Sequence, residues 1–334
     1  MSKVSVLIAV YNSEKYLEQC LDSVCSQTLR DIQIICIDDC STDTSSEILD
    51  KYAKADNRIT VIHLSENCGQ AVARNEGLKV ADGEFVMMLD SDDWLDADSI
   101  KKAYMAATAE DDIDCCLFNL LLYYQAENRM EAYRNRTDKT VFKGEEAFSL
   151  SLCWHLHGLY LVRTSIHKAH PYDTSCRLYS DDNTTHIHYL YSRKVVLSDG
   201  KYYYRKHSAS MTNDMTIRRF DHMDANLNMK RTLLAEIEKG HIGESEKILN
   251  MYEAYRWLNI VDAYWVLYSN RNAFTEQECK DIETSIAEKL KTVERFRIPL
   301  SLKIKLGYYP FRSYRVFSFV ENFYFRLRRL LGRG

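Results

Sequence analysis

Three carboxylates fall within four positions, at Asp90, Asp92 and Asp93, directly after the apolar run from Phe85 to Leu89. Five apolar residues in succession read as a strand buried on both faces. The acids then sit at its carboxyl end, where open α/β sheets bind ligands. Carboxylates so close together repel unless a cation joins them. Asp90 and Asp92 form an Asp-x-Asp pair, whose hard oxygen ligands suit Mg²⁺ or Mn²⁺ bridging to a substrate diphosphate. The plainer reading is an acidic loop that caps the next helix. A second acidic pair, Asp181 and Asp182, would titrate as a unit, because each charge opposes the other. His155 and His157 alternate with Trp154 and Leu156, so both are expected on one side of an extended segment. Two histidines at i and i+2 could ligate a metal, but no third ligand stands nearby, and a polar pocket wall fits them better.

The elements that must position these groups alternate regularly over the first 110 residues. Strands are expected over Val4–Val10, Ile32–Ile37 and Ile59–Leu64, followed by the strand before Asp90. Between them, Leu17, Leu21 and Val24 recur at helical spacing, Ser41 or Thr42 can cap a helix carrying Ile48, Leu49 and Tyr52, and a short helix runs from Gln70 to Val80. This alternation implies a doubly wound α/β sheet covered by helices. No Gly-x-Gly-x-x-Gly or Gly-Lys-Ser/Thr loop follows any strand, which argues against a dinucleotide dehydrogenase and a P-loop NTPase. Beyond it, Ile113–Leu122 reads as another buried strand and Tyr123–Phe142 as a polar excursion.

A chain of 334 residues has room for about two domains. With 46% hydrophobic and 28% charged residues it is an ordinary globular protein. No apolar run reaches the roughly 18 residues of a membrane span, and the N-terminus enters a strand at once, so a cytoplasmic body is expected. Ten cysteines without Cys-x-x-Cys spacing look like reduced small hydrophobes. The net charge of −4 hides an asymmetry: Arg295 to Gly334 holds ten Lys or Arg and one acid, Glu321, a balance of +9, leaving −13 for the rest.

Four segments carry a resemblance: Val4-Ser-Val-Leu-Ile-Ala-Val-Tyr-Asn12, Ile37-Asp-Asp-Cys-Ser-Thr-Asp43, Asn67-Cys-Gly-Gln-Ala-Val-Ala-Arg-Asn75 and Leu89-Asp-Ser-Asp-Asp93. In order and in register, they closely resemble the nucleotide-binding half of family 2 glycosyltransferases, inverting enzymes of the GT-A fold that take a sugar from a nucleotide diphosphate. The similarity is densest over 1–110 and legible to about 213. It implies a mixed, mainly parallel GT-A sheet in a catalytic domain over 1–213, divided into a nucleotide half (1–110) and an acceptor half (111–213). Ala9, Tyr11 and Asn12 would line the base pocket, and Asp39 would accept from the uracil imide. Arg74 would pair with diphosphate or hold the acidic loop, its plainer reading being a surface ion pair. Asp90 would hold ribose or the metal shell, Asp92 would be the main ligand of Mn²⁺ or Mg²⁺, and Asp93 a second ligand or a helix cap. The family often has Gly where Cys40 stands, so the turn after Asp39 is open to a different shape.

In the acceptor half, Trp154 to Arg163 resembles the segment that places a Trp and a polar residue near the acceptor, which assigns Trp154, His155 and His157 to that side. Asp182 aligns with the family's catalytic base, with Asp181 as runner-up and helix capping as the plainer alternative. Arg205, His207 and Ser210, on the resembling closing strand and loop, suit phosphate oxygens or, through the His207 imidazole, the metal.

Past Asn213 the chain changes character. Residues 214–295 read as helices, one with Leu227, Leu234 and Ile237 on its apolar face and another with Trp257, Ile260, Val261, Tyr264 and Trp265. Residues 296–334 read as a basic, aromatic amphipathic tail suited to an anionic membrane surface on the inner face of the cytoplasmic membrane, or to docking on the protein itself. The acidic body opposes nucleic acid. Two function classes follow. One is a metal-dependent inverting transferase using a UDP-sugar to extend a saccharide or lipid-linked saccharide in cell-surface polysaccharide synthesis. The other is a non-catalytic nucleotide-sugar-binding or scaffold relative, against which the acids at Asp39, Asp90/Asp92 and Asp182 speak together. A nucleotidyltransferase would need a Gly-rich loop where Tyr11-Asn-Ser stands.

Overall fold

The computed structural model describes residues 2–174, 179–207, 215–305 and 307–331, and of Ser180, Asp181 and Asp182 the backbone. The chain divides into two compact units, Met1–Ser210 and Met211–Gly334.

The first unit runs β1 (Val4–Val10), α1 (Glu14–Cys25), β2 (Ile32–Asp38), α2 (Ser45–Ala55), β3 (Ile59–His63), α3 (Gln70–Val80), β4 (Phe85–Met88), β5 (Trp94–Leu95) and α4 (Ser99–Ala107). It continues with β6 (Ile113–Tyr124), β7 (Arg129–Ala132), β8 (Val141–Lys143), α5 (Gly144–Ser151), β9 (Tyr160–Arg163), α6 (Thr164–Ala169), α7 (Ser180–Tyr191) and β10 (Lys194–Lys206). One mixed sheet has the order β3-β2-β1-β4-β9-β6-β10-β5, with β7 on β6 and β8 on β10. The first four strands in that order are parallel, as are β6 and β10; β9 is antiparallel to both of its neighbours. Apolar runs such as Val4–Val10 are buried on both faces because helices cover both sides of the sheet. The doubly wound α/β expectation therefore holds, and every parallel strand of the nucleotide half ends on the same edge.

Several local expectations differ. Helix α2 begins at Ser45 rather than after Ser41 or Thr42, and Thr44 at its cap makes no side-chain cap bond. Asp43 takes that work instead: its Oδ1 accepts from Ser45 N and its Oδ2 from Glu14 N, joining the starts of two helices. The polar stretch 123–142 is not a plain excursion, since it supplies β7 and β8 to the sheet.

The second unit contains α8 (His222–Glu238), α9 (Ser245–Ser269), α10 (Glu276–Lys291), α11 (Leu300–Lys303) and α12 (Tyr314–Leu330). The expected apolar face of α8 is misplaced by one position: Met223, Met229 and Leu233 are buried, while Leu234 is exposed. The buried salt bridge from Lys230 to Glu253 explains why. A paired lysine lies on the inner face, so polarity alone misleads the reading of that face.

Helix α12 docks one face of the tail on the protein and leaves the other exposed. Phe317 and Phe325 are fully buried, Phe317 against Trp257 and Tyr264 and Phe325 against Trp265, so one face is core. Phe319 and Phe323 stay exposed on the other face. Among the described residues no helix is long and apolar enough to cross a membrane.

Glu321 lies on the buried face with neither carboxylate oxygen hydrogen-bonded among the described residues, and burial pushes its carboxyl up to about 8. An acid raised from about 4.3 in the unfolded chain costs nothing below that value. Above it the cost grows on the order of 1.4 kcal/mol per pH unit until the folded value is reached. Glu321→Met should therefore raise the melting temperature at pH 7 and flatten its fall between pH 5 and 8. Parallel melting curves for the two proteins over that range would refute the assignment.

Candidate active site

The site is built where β1, β2 and β4 end side by side. Val10 pairs with Asp38, Asp39 N donates to Val10 O at 2.8 Å, and Leu89 N donates to Leu7 O at 3.0 Å. Ala9, next to last in β1, lies opposite Ile37, and Tyr11, half exposed, follows the strand at the sheet edge. Asn12 adopts a left-handed φ of 49° and ties the turn after β2 to the turn after β1, its Oδ1 accepting from Thr42 N at 2.8 Å. Cys40 has φ 61°, the left-handed conformation that glycine favours, so the turn keeps that shape with a side chain in place. Asp39 is buried, and its two oxygens accept from Cys68 N at 2.7 Å and Gly69 N at 2.8 Å. These amides lead into α3, and Gly69, with φ 88°, makes the turn that presents them. The companion Asp38 is held by Ser41 N and His63.

Arg74 is not in a surface ion pair. It is 4% exposed, lies 5.2 Å over the Tyr172 ring and donates from Nη2 to Asp90 Oδ1 at 2.7 Å. The acidic turn is thus anchored from below by a buried cation. Asp90 and Asp92 keep part of their carboxylates exposed, 37% and 30% of each side chain. Burial, reinforced by the neighbouring Asp90 charge, raises the Asp92 carboxyl above its ordinary range. His207 Nε2 lies 2.9 Å from Asp92 Oδ2, and its ring packs 4.8 Å from that of Tyr16.

Asp93 turns away from the cleft and is neither an open ligand nor a helix cap. It is 1% exposed and accepts from Tyr202 Oη at 2.9 Å and Arg205 N at 2.7 Å. Burial, with the charges of Asp90 and Asp92, pushes its carboxyl well above the carboxylate range. Arg205 likewise does not stand ready for phosphate. Its guanidinium is 4.7 Å from the Tyr16 ring and 4.5 Å from Trp94, Nε donates to Asp92 O at 2.7 Å, and Nη2 donates to Gln19 at 2.6 Å. It holds the backbone of the acidic turn, a task for which Arg has the right fork of donors.

On the acceptor side, the segment before β9 is a turn rather than a strand. Trp154 has φ 54°, and His155 N donates back to Leu150 O. The two histidines consequently do not share a face. His155 is partly open beside Arg136, whereas His157 is 5% exposed, takes Leu159 N on Nδ1, and has its imidazole pulled down to about 4 by burial. His157 also receives the Tyr189 hydroxyl on its carbonyl, which fixes α7 to this turn. The backbone of Asp181 and Asp182 lies in the first turn of α7. Their side chains, and Ser210, lie outside the described residues.

Tyr16, Gln19, Tyr172 and Tyr202 were not legible as site residues. Nothing in their spacing marks them; each acts by packing against or bonding a residue that the motifs do mark.

A sequence model of the family described as Glycosyl transferase family 2 matches residues 5–167. The glycosyltransferase GlyG of Streptococcus pneumoniae is 31% identical over 220 residues, covering 62% of this chain and 72% of that protein. The putative glycosyltransferase EpsH of Bacillus subtilis is 45% identical over 113 residues, 34% of this chain and 33% of its own. The chain therefore spans most of the first relative but only about a third of the second. The crystal structure of residues 1–349 of Staphylococcus aureus TarS with UDP-GlcNAc superposes with a TM-score of 0.75 at 21% identity, covering 97% of this chain and 92% of that one. At that identity the likeness speaks to the GT-A fold alone. With sequence relatives that are glycosyltransferases, a matching family model and the same fold, this chain belongs to glycosyltransferase family 2 and is a glycosyltransferase.

Proposed function

We infer that the enzyme transfers a sugar from a UDP-sugar to a saccharide or lipid-linked saccharide in cell-surface polysaccharide synthesis, inverting the anomeric centre. The observation that carries this reading is the acidic turn: two partly exposed carboxylates, Asp90 and Asp92, held from beneath by buried Arg74 and Arg205 at the edge that Tyr11 and Asp39 share. TarS, the structural neighbour, was crystallised with UDP-GlcNAc, which supports a nucleotide-sugar donor.

The uracil imide would donate to Asp39, whose oxygens retain acceptor capacity beyond the two amides that orient them. Tyr11 would form an aromatic wall for the base, with Ala9 and Asn12 completing the pocket. Arg74 would act by fixing Asp90 and not by meeting phosphate itself. His155 and the Trp154 ring remain the acceptor-side groups, with His157 supporting the turn from within. Asp182, in the first turn of α7, would take the proton of the attacking hydroxyl.

The donor set fits Mg²⁺ or Mn²⁺. Two mutually repelling carboxylates with open oxygen positions are the protein's usual share of such a site, the remainder coming from water and phosphate. Among the described residues no three ligating side chains converge, and His207 meets Asp92 rather than a common point, so it orients that carboxylate. When bound, the cation would neutralise charge on the departing diphosphate.

UDP should bind in the presence of Mn²⁺ or Mg²⁺ and much more weakly in a chelator. Calorimetry with equal affinity in both conditions would contradict the metal reading without touching the family. A UDP-α-sugar should give a β-linked product by NMR, and retention would overturn the inverting mechanism.

A further inference from the structure

The second unit carries a groove of about 540 Å³ whose lining includes none of the candidate-site residues. That volume lies within the range of ligand pockets. Its lining includes Lys291, Arg295, Lys303 and Arg312, against one acid, Glu294. The acid is already committed: Glu294 pairs with Lys230 at 2.5 Å and with Arg297 at 2.6 Å. Arg295 is held against the Tyr309 hydroxyl, which turns its guanidinium along the wall. Lys291, Lys303 and Arg312 make no ion pair among the described residues, and Lys291 and Arg312 are exposed. Like charges do not gather round one concavity without cost, and among the described residues no uncommitted acid lines it to offset them.

Next to these cations the same stretch of chain exposes apolar side chains. Phe296 is 75% exposed, Leu300 72% and Ile304 76%. Phe296 itself lines the groove. A free phosphate or a sugar phosphate would explain the cations but not the three apolar side chains. A second copy of the chain would explain the apolar side chains but would set these cations against its own. An anionic bilayer accounts for both, since its headgroups carry phosphate and its interface takes up aromatic and aliphatic groups.

We propose that this groove binds the phosphate of an anionic lipid headgroup, with Phe296, Leu300 and Ile304 entering the bilayer interface beside it. Binding is independent of the donor reading, because it requires no sugar, no nucleotide and no transfer. It differs from a general attraction of the basic segment in being located: a few named cations carry it. Three such cations near an anionic surface are together worth on the order of a hundredfold in affinity at low salt.

The test is co-sedimentation of the full chain with phosphatidylcholine vesicles, with and without phosphatidylglycerol, at two salt concentrations. Binding is expected only with phosphatidylglycerol and should weaken as salt screens the charges. Lys291→Gln, Lys303→Gln and Arg312→Gln together should lose most of it, while UDP binding stays as in the parent protein. Phe296→Ser, Leu300→Ser and Ile304→Ser together should weaken binding but retain its salt dependence. These side chains are solvent-facing or line the open groove, and an unchanged melting curve certifies the variants. Equal binding to neutral vesicles, or full binding by the triple Gln protein, would overturn the proposal. So would saturation of the groove by glycerol phosphate without vesicle binding, which would make it a site for soluble phosphate. Dimerisation in gel filtration that the Ser variant abolishes would assign the apolar patch to a second copy and would also overturn it.

Discussion

Replacing Asp182 by Asn should lower kcat by about 10²- to 10⁴-fold, the ordinary worth of a general base, while UDP affinity stays within about twofold, a change worth less than 0.5 kcal/mol. The split follows from position. Asp182 lies in the first turn of α7, whereas every group assigned to the nucleotide stands at the ends of β1, β2 and β4, on the turns that follow them, or on α3. The amide is nearly isosteric and leaves the helix start intact, so a folding defect would not mimic the loss. Turnover with a saccharide acceptor and calorimetry with UDP give the two readouts. If Asp182→Asn turns over within tenfold of the parent enzyme and Asp181→Asn is inactive, the base is the neighbouring carboxylate. Loss of UDP binding along with turnover would instead make the pair structural.

Asp92→Asn should cost several kcal/mol of leaving-group stabilisation, a fall of about 10³-fold or more in kcat. Here the nucleotide should also bind more weakly, and adding metal should no longer restore it. The asparagine oxygen can still meet His207, so melting should change little. Stability that falls together with activity would mean that Asp92 serves the fold of the turn. Metal-dependent UDP binding that survives the substitution would move the cation to another group.

The nucleotide half was legible because its information is local. Apolar runs of strand length, helical spacing in α1 and acids at strand ends each report on a few neighbouring residues, and β1 to β4 with their helices lie close to where the sequence reading put them. The acceptor half failed where conformation depends on distant partners. Nothing near Trp154 announces a left-handed φ; the turn exists because α5 ends at Ser151 and the chain must fold back to reach β9. The division of labour within the acidic turn was hidden for the same reason. Asp90, Asp92 and Asp93 are chemically alike in sequence, and their partners alone, Arg74, His207 and Tyr202, tell them apart. The inner face of α8 was misread because its lysine is neutralised by an acid on another helix.

The bonds from Tyr202 and Arg205 to Asp93, and from His207 to Asp92, span 109 to 115 residues of chain. The acidic turn is therefore finished by a strand that emerges from the ribosome long after it. Long-range closures of this kind come late and slowly in folding. A nascent chain that has completed β1 to β4 already holds the entire nucleotide edge, yet its three aspartates have no Tyr202, no Arg205 and no His207 to sort them. The arrangement that divides the three aspartates among Arg74, His207 and Tyr202 is thus complete only once β10 and the residue after it have been made.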